Sequence, residues 1–294
     1  VIEAGEPVEV EDAAEVRARI DAALARVGRI VPVMSGKGGV GKSAVAVNLA
    51  VALARRGERV ALLDADLHGP TVAKMLGLRG QPVRVGADER LRPAAGPEGI
   101  AVQSLDFFLE GNQAPDWDGA DARGATFRSA MEEAAIADLL GRTAWGELDS
   151  LVIDLPPGAD RLPALARWLP ARTAALAVTL PTEVSLLAVE RSLRRAHAAR
   201  IRLAGLVENF AAITCAKCGE ETPLFPPGGA AALARDLDVE LVARIPFDPE
   251  LARAADAGRV YLAAAGPDTP VAVAFAGLAE RVATLQDPAL EDEA

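Results

Sequence analysis

Gly36-Lys37-Gly38-Gly39-Val40-Gly41-Lys42-Ser43 is the stretch on which the reading of this chain turns. It satisfies the phosphate-cradling pattern G-x-x-x-x-G-K-[ST]. Its glycines let successive backbone N–H groups turn toward one anion, because no Cβ blocks the approach. Lys42 is placed to reach the β- and γ-phosphates of a nucleotide, and the Ser43 hydroxyl to ligate Mg²⁺. Lys37 is a second lysine that such a loop does not need, and it suggests a nucleotide site completed by a second subunit. The flanks fit: Arg29 to Met34 reads as a short buried strand, and Ser43 to Arg56 as an apolar helix ended by Gly57. Strand, glycine loop and helix together put a helix N-terminus against the phosphates.

The alternation continues outward from this unit. Glu11 to Val27 has apolar residues at helical spacing, as a leading helix packed on the domain. Strands are expected at Arg59–Asp64, Ile100–Leu105, Ser150–Asp154, Ala174–Thr179, Arg202–Val207 and Leu241–Ile245. Helices are expected at Thr71–Leu76, Ala125–Leu140, Val184–Ala198, Pro249–Ala257 and Val271–Leu285. Gly77 to Gly99 suits a small hairpin, and acidic Glu110 to Gly124 a mobile surface loop. The class is therefore α/β: a doubly wound, mostly parallel sheet with helices on both faces, binding ligand beyond the carboxyl ends of its strands. The expected organisation is an N-terminal helical extension (1–28), one nucleotide-binding domain (29–285) and an acidic tail (286–294).

Composition narrows the function. Of 294 residues, 51% are apolar and 25% charged, which suits a well-cored globular protein. The formal charge of −11 disfavours nucleic acid or an anionic membrane as partner, since both need basic surface. No signal-like segment or spanning run is visible, so a cytoplasmic location is expected. Two cysteines three positions apart make no disulfide framework.

Two acidic segments supply what a P-loop enzyme needs. Asp64 and Asp66 end the strand after the P-loop helix; one can join the Mg²⁺ shell while the other orients the attacking water. Leu151-Val152-Ile153-Asp154 is an apolar run closed by an aspartate, the Walker B pattern for Mg²⁺. Adenine is favoured over guanine because no Asn-Lys-x-Asp string occurs; Asn209 and the Pro246-Phe247-Asp248 turn are the candidates for reading the base. His68 and His197 read as spectators. Cys215-Ala216-Lys217-Cys218-Gly219 turns two thiolates toward one metal. A tetrahedral thiolate site wants four, so a two-fold dimer in which each chain donates a pair is the simple solution. A redox dithiol and a zinc knuckle fit the same spacing.

Taken together, these segments resemble the Mrp/ApbC family of iron–sulfur cluster carrier ATPases, in the deviant Walker A branch with MinD, ParA and ArsA. The resemblance rests on Ser35–Ser43, Leu62–Thr71, Trp145–Asp149, Leu151–Gly158, Pro181–Leu187, Val207–Phe210, Cys215–Glu220, Arg244–Asp248 and Asp256–Arg259. It implies an ATP-hydrolysing homodimer that delivers a [4Fe–4S] cluster to apoproteins and works with cluster assembly proteins. Lys42 and the backbone of Gly38 to Ser43 would hold the phosphates. Lys37 would reach the partner's nucleotide, and Asp66 would orient water. Asp64 and Asp154 would lie near Mg²⁺, Asn209 near adenine, and Cys215 and Cys218 on the shared cluster. Three places depart from the family pattern. His68 stands where an aromatic is common before Gly-Pro. Gly158-Ala159-Asp160-Arg161 replaces Gly-Thr-Gly-Asp. Ala122-Arg123-Gly124 replaces Trp-Arg-Gly. The alternative reading is a MinD- or ParA-like ATPase switch with structural zinc at the C-x-x-C. The acidic tail disfavours a membrane-bound switch and the net charge a DNA-bound one.

Overall fold

Alternate residues of the central strands face opposite layers of helices, and this period of two organises the structure. The computed structural model describes residues 12–109, 125–215 and 217–285. The expected loop over 110–124, with the Ala122-Arg123-Gly124 departure, and the tail over 286–294 lie outside these residues.

The chain opens with α1 (Ala13–Leu24), β1 (Val27–Ser35), α2 (Lys42–Arg55), β2 (Val60–Asp64) and α3 (Val72–Met75). A hairpin of β3 (Arg84–Val85) and β4 (Leu91–Arg92) follows, then β5 (Ala94–Ala95), β6 (Ala101–Ser104) and α4 (Ala125–Arg142). Next come β7 (Leu148–Asp154), α5 (Arg161–Ala166), β8 (Ala174–Thr179), α6 (Glu183–Ala198), β9 (Arg202–Thr214) and β10 (Glu221–Pro223). The last elements are α7 (Gly229–Asp236), β11 (Leu241–Phe247), α8 (Pro249–Asp256), α9 (Tyr261–Ala264) and α10 (Pro270–Ala283).

The main sheet runs β10-β9-β8-β1-β7-β2-β6-β5, with β11 also paired to β9. Its pairings are parallel except at β5 and β10, which run antiparallel to β6 and β9. β1 therefore lies inside the sheet, and its residues are covered on both faces. Val31 and Val33 join one core with Leu62, Val152, Leu53 of α2 and Phe275 of α10. Ile30 and Met34 join the other with Leu63, Ile153, Leu140 of α4 and Leu193 of α6. Helix α1 belongs to this second layer: Ile20 and Leu24 are buried there, and Arg19 pairs with Asp138 of α4 at 2.7 Å.

Several boundaries differ from the sequence expectation. The leading helix stops at Leu24, because Val27 is already paired with Leu148 and its strand pairing displaces the helical pattern. β9 runs 13 residues, well past Val207, because β11 and β10 extend the pairing to Thr214. Short elements α5, α7, α9, β5 and β10 were not anticipated. No helix among the described residues is long and apolar enough to cross a membrane.

Phe275 is 1% exposed and locks α10 onto the core. Phe275→Ala is expected to cost about 3–5 kcal/mol through lost burial and the cavity left behind. A shift of the denaturant midpoint at unchanged slope checks this; an unmoved midpoint would contradict the packing described.

Candidate functional site

The glycine loop between β1 and α2 is held in shape before any ligand arrives. A Cβ on Gly36 would lie 2.2 Å from the carbonyl carbon of Ala188, so only glycine lets α6 press this close. Gly41 sits at φ +84°, and a Cβ there would lie 2.3 Å from Asn209 Nδ2. That amide donates to the Val40 carbonyl at 2.9 Å, and Ser35 Oγ donates to the Lys37 carbonyl at 2.9 Å. Gly41 is also the N-cap of α2 and offers no side-chain bond. The first N–H groups of α2 are thus left for an anion, with the helix dipole behind them.

Lys42 is 6% exposed, and its Nζ lies 2.5 Å from Asp154 Oδ1 and 3.3 Å from Ser43 Oγ. Asp154 is wholly buried at the end of β7, and among the described residues its Oδ2 has no hydrogen-bond partner. Burial pushes the Asp154 carboxyl upward, and the Lys42 ammonium opposes that shift. An orphaned carboxylate oxygen beside the Ser43 hydroxyl fits Mg²⁺, which takes one or two protein oxygens and fills the rest of its shell with phosphate and water. Among the described residues no group of three or more His, Cys, Asp or Glu side chains is placed to hold a metal ion.

Asp64 closes β2 and is 1% exposed. Its Oδ2 accepts from Val72 N at 3.1 Å and Ser104 Oγ at 3.2 Å, and its Oδ1 from Asp66 N at 3.2 Å. Burial, and then the charge of Asp154, push its carboxyl up to about 8. The folded value lies above the unfolded one, so this group favours the fold fully at pH below 3.8. That contribution is lost as pH rises through about 8. Asp66 lies past the strand end, partly exposed, with Oδ1 accepting from Gly69 N at 3.3 Å. Lys37 is partly exposed and has no ion-pair partner among the described residues.

Cys215 and Cys218 are exposed free thiols in the turn between β9 and β10. Cys215 N donates to the Glu220 carbonyl at 2.9 Å, and Gly219 N to the Cys215 carbonyl at 2.9 Å. The N–H groups of Cys218 and Lys217 hold the Cys215 thiol below its ordinary range, which favours the thiolate. Because β9 runs parallel to β8 and β1, this turn lies on the same, carboxyl-end side of the sheet as the glycine loop, carried beyond the edge by the residues of β9 that follow Glu208.

The structure thus gathers Lys42, Ser43, Asp64 and Asp154 at one edge and places Asn209 on the loop backbone rather than on a free surface. Asp248 of the other candidate base-reading turn caps α8 through Glu250 N and accepts from Tyr261 Oη at 2.6 Å, which is turn chemistry. His68 pairs with Glu132 at 2.7 Å. Sequence reasoning did not find Ser104, Glu132 or Ala188. Each meets the site across the fold, and no local pattern marks it.

A family model, ParA, described as NUBPL iron-transfer P-loop NTPase, matches residues 26–283. The iron-sulfur cluster carrier protein of Saccharolobus solfataricus is 40% identical over 253 residues, covering 86% of this chain and 82% of that protein. The cytosolic Fe-S cluster assembly factor NUBP2 of Bos taurus is 36% identical, covering 88% and 93%. Among solved structures, a nucleotide-binding protein from Archaeoglobus fulgidus, in complex with ADP and with cobalt, is 37% identical. It superposes with a TM-score of 0.70 over 83% of this chain and 92% of that one. The cell division ATPase MinD of Pyrococcus furiosus shares the fold at 24% identity, with a TM-score of 0.59 over 87% and 98%.

Removing Lys42 strands Asp154 in the interior. Lys42→Ala is therefore expected to abolish binding of a fluorescent ADP analogue and also to cost about 3–5 kcal/mol in the ligand-free protein. The double variant Lys42→Ala/Asp154→Asn should recover stability and not binding. Equal denaturation midpoints for Lys42→Ala and the unaltered protein would contradict the ion pair.

Proposed function

We propose that this chain, which belongs to the ParA family of NUBPL-type iron-transfer P-loop NTPases, holds a [4Fe–4S] cluster between two copies and delivers it to apoproteins, using ATP. The observation that carries the reading is that a two-lysine phosphate loop and an exposed thiol pair lie on the same, carboxyl-end side of one sheet.

In this reading Lys42 leaves Asp154 for the β- and γ-phosphates as nucleotide enters, and Asp154 with Ser43 would hold Mg²⁺. The metal would neutralise charge on the β- and γ-oxygens. The N–H groups of the loop and of the first turn of α2 bind the phosphates. Asp66 orients a water whose oxygen bonds to the γ-phosphorus as the bond to the β–γ bridging oxygen breaks; the proton the water loses passes to solvent, leaving ADP and phosphate. Lys37 reaches the nucleotide of the second copy. Asp64, buried between Asp154 and the Val72 N–H, supports the shell from behind.

The thiols take the cluster as cargo. One chain offers two sulfurs, and a four-iron cluster needs four ligands, so two copies face each other across it. β9 gives the nucleotide state a route to them. Asn209, bonded to the Val40 carbonyl of the loop, lies within β9, and Cys215 directly follows Thr214, the last residue of that strand. A change in the loop that alters the Asn209 bond shifts the strand carrying the thiols. Working partners are thus apoproteins and cluster assembly proteins.

Anaerobic reconstitution followed by iron, sulfide and absorption measurements tests this. About four iron and four sulfide per dimer, with a broad charge-transfer band, is the expected result. Cys215→Ser should lose the metal and weaken dimerisation. Zinc without sulfide would replace the carrier reading by a structural staple, and full metal retention by Cys215→Ser would refute the bridging pair.

A further inference from the structure

Glu132 belongs to α4, outside both acid-bearing loops, yet it is 5% exposed and bonded to each. Its Oε1 lies 2.7 Å from His68 Nε2, and its Oε2 accepts from Arg161 Nη1 at 2.5 Å. His68 follows Asp66 closely in the β2–α3 loop. Arg161 opens α5, just after the loop that follows Asp154, the last residue of β7. The two loops meet at their roots, where Ala65 N donates to the Asp154 carbonyl at 2.9 Å. Glu132 joins them again at their far ends.

A buried carboxylate is a costly way to fill this space. Replacing a buried ion pair by apolar side chains of similar volume is often neutral or stabilising, so the pair is weak as a stability device. What it supplies is geometry: one rigid acceptor whose two oxygens fix two donors at once. His68 and Arg161 are both half-exposed, and without Glu132 each would be free to turn to water. Both also stand where the sequence departs from the family it resembles, His68 in place of an aromatic and Arg161 in place of aspartate. Glu132 makes the two departures one connected unit. Arg195 of α6 pairs with Asp160 and carries the tie on to the helix that rests on Gly36.

We propose that Glu132 is a positioning residue for ATP hydrolysis, clamping the Asp66 loop and the Asp154 loop to one anchor on α4. The proposal rests on the ATPase reading above. It predicts that the clamp acts on turnover and not on nucleotide affinity, because among the described residues Glu132, His68 and Arg161 bond to one another and not to the phosphate loop.

The test uses the full chain, with ATP turnover and titration of a fluorescent ADP analogue measured side by side. Glu132→Ala should lower kcat roughly tenfold through misplaced acids, with the analogue's Kd within about a factor of two. Glu132→Gln, which still offers one acceptor and one donor, should restore most of the turnover. His68→Ala and Arg161→Ala should be non-additive in kcat, and their coupling should vanish in the Glu132→Ala background. Unchanged kcat in Glu132→Ala, equal losses in kcat and affinity, or strictly additive effects of His68→Ala and Arg161→Ala would overturn the clamp. If Glu132→Ala does not fold, Glu132→Gln and the His68/Arg161 pair decide the matter. An unaltered chain that binds the analogue but does not turn over ATP would strike down the ATPase reading and the clamp with it.

Discussion

A buried ammonium facing a buried carboxylate is the constraint on which the rest of the site depends. Lys42 and Asp154 are both withdrawn from water, and each is tolerable only because the other is 2.5 Å away. The arrangement is nonetheless incomplete: Asp154 Oδ2 has no partner, and Asp64 is driven toward its neutral form beside it. In the proposed reading phosphate would take the lysine and magnesium the Asp154 carboxylate, so that the Lys42–Asp154 pair is a temporary one. Little rearrangement would then be needed, since Lys42 would only turn from one acceptor to another.

The sheet makes this possible by ending its parallel strands at one edge. β1, β2 and β7 deliver the loop, Asp64 and Asp154 side by side, as their register dictates. β9 then continues past that edge and carries the thiols. Two contacts tie this edge together, and both exploit missing side chains. Gly36 admits α6, and Gly41 admits the Asn209 amide. The phosphate loop is therefore in mechanical contact with a helix on one side and with the thiol-bearing strand on the other.

Much of this was legible in the sequence, and the remainder was not for physical reasons. The glycine loop, both acid-ended strands and the thiol pair are local patterns, because each needs its residues at fixed spacing along one element. The parallel sheet followed from alternation of strand and helix periods. What escaped is what the tertiary structure alone brings together. Glu132 sits on an ordinary amphipathic helix, and nothing nearby marks it as the acceptor for His68 and Arg161. Ser104 looks like any strand-end serine until its hydroxyl meets Asp64. The helix boundary at Leu24 and the long β9 were misplaced because cross-strand pairing outweighed local preference.

The outer surface of this edge bears on how two copies could meet. Val184 and Leu187 lie on α6, the helix pressed against Gly36, and are 69% and 52% exposed. Ile213 and Leu224 flank the thiol turn and are 42% and 39% exposed. Large apolar side chains left in water on α6 and on either side of the thiol turn are what a face awaiting a second chain would carry. The formal charge of −11 works the other way, since two copies repel at low ionic strength. Apolar contact acts only at short range, and charge repulsion reaches about 10 Å in ordinary salt. The union of two copies therefore benefits from a strong, directional bond at the centre of the face. In the proposed reading four thiolates around one iron–sulfur cluster would supply such a bond, and two lysines reaching across toward phosphate would supply local attraction. The metal and the nucleotide would then hold the same joint from two positions, so that a change at one is felt at the other.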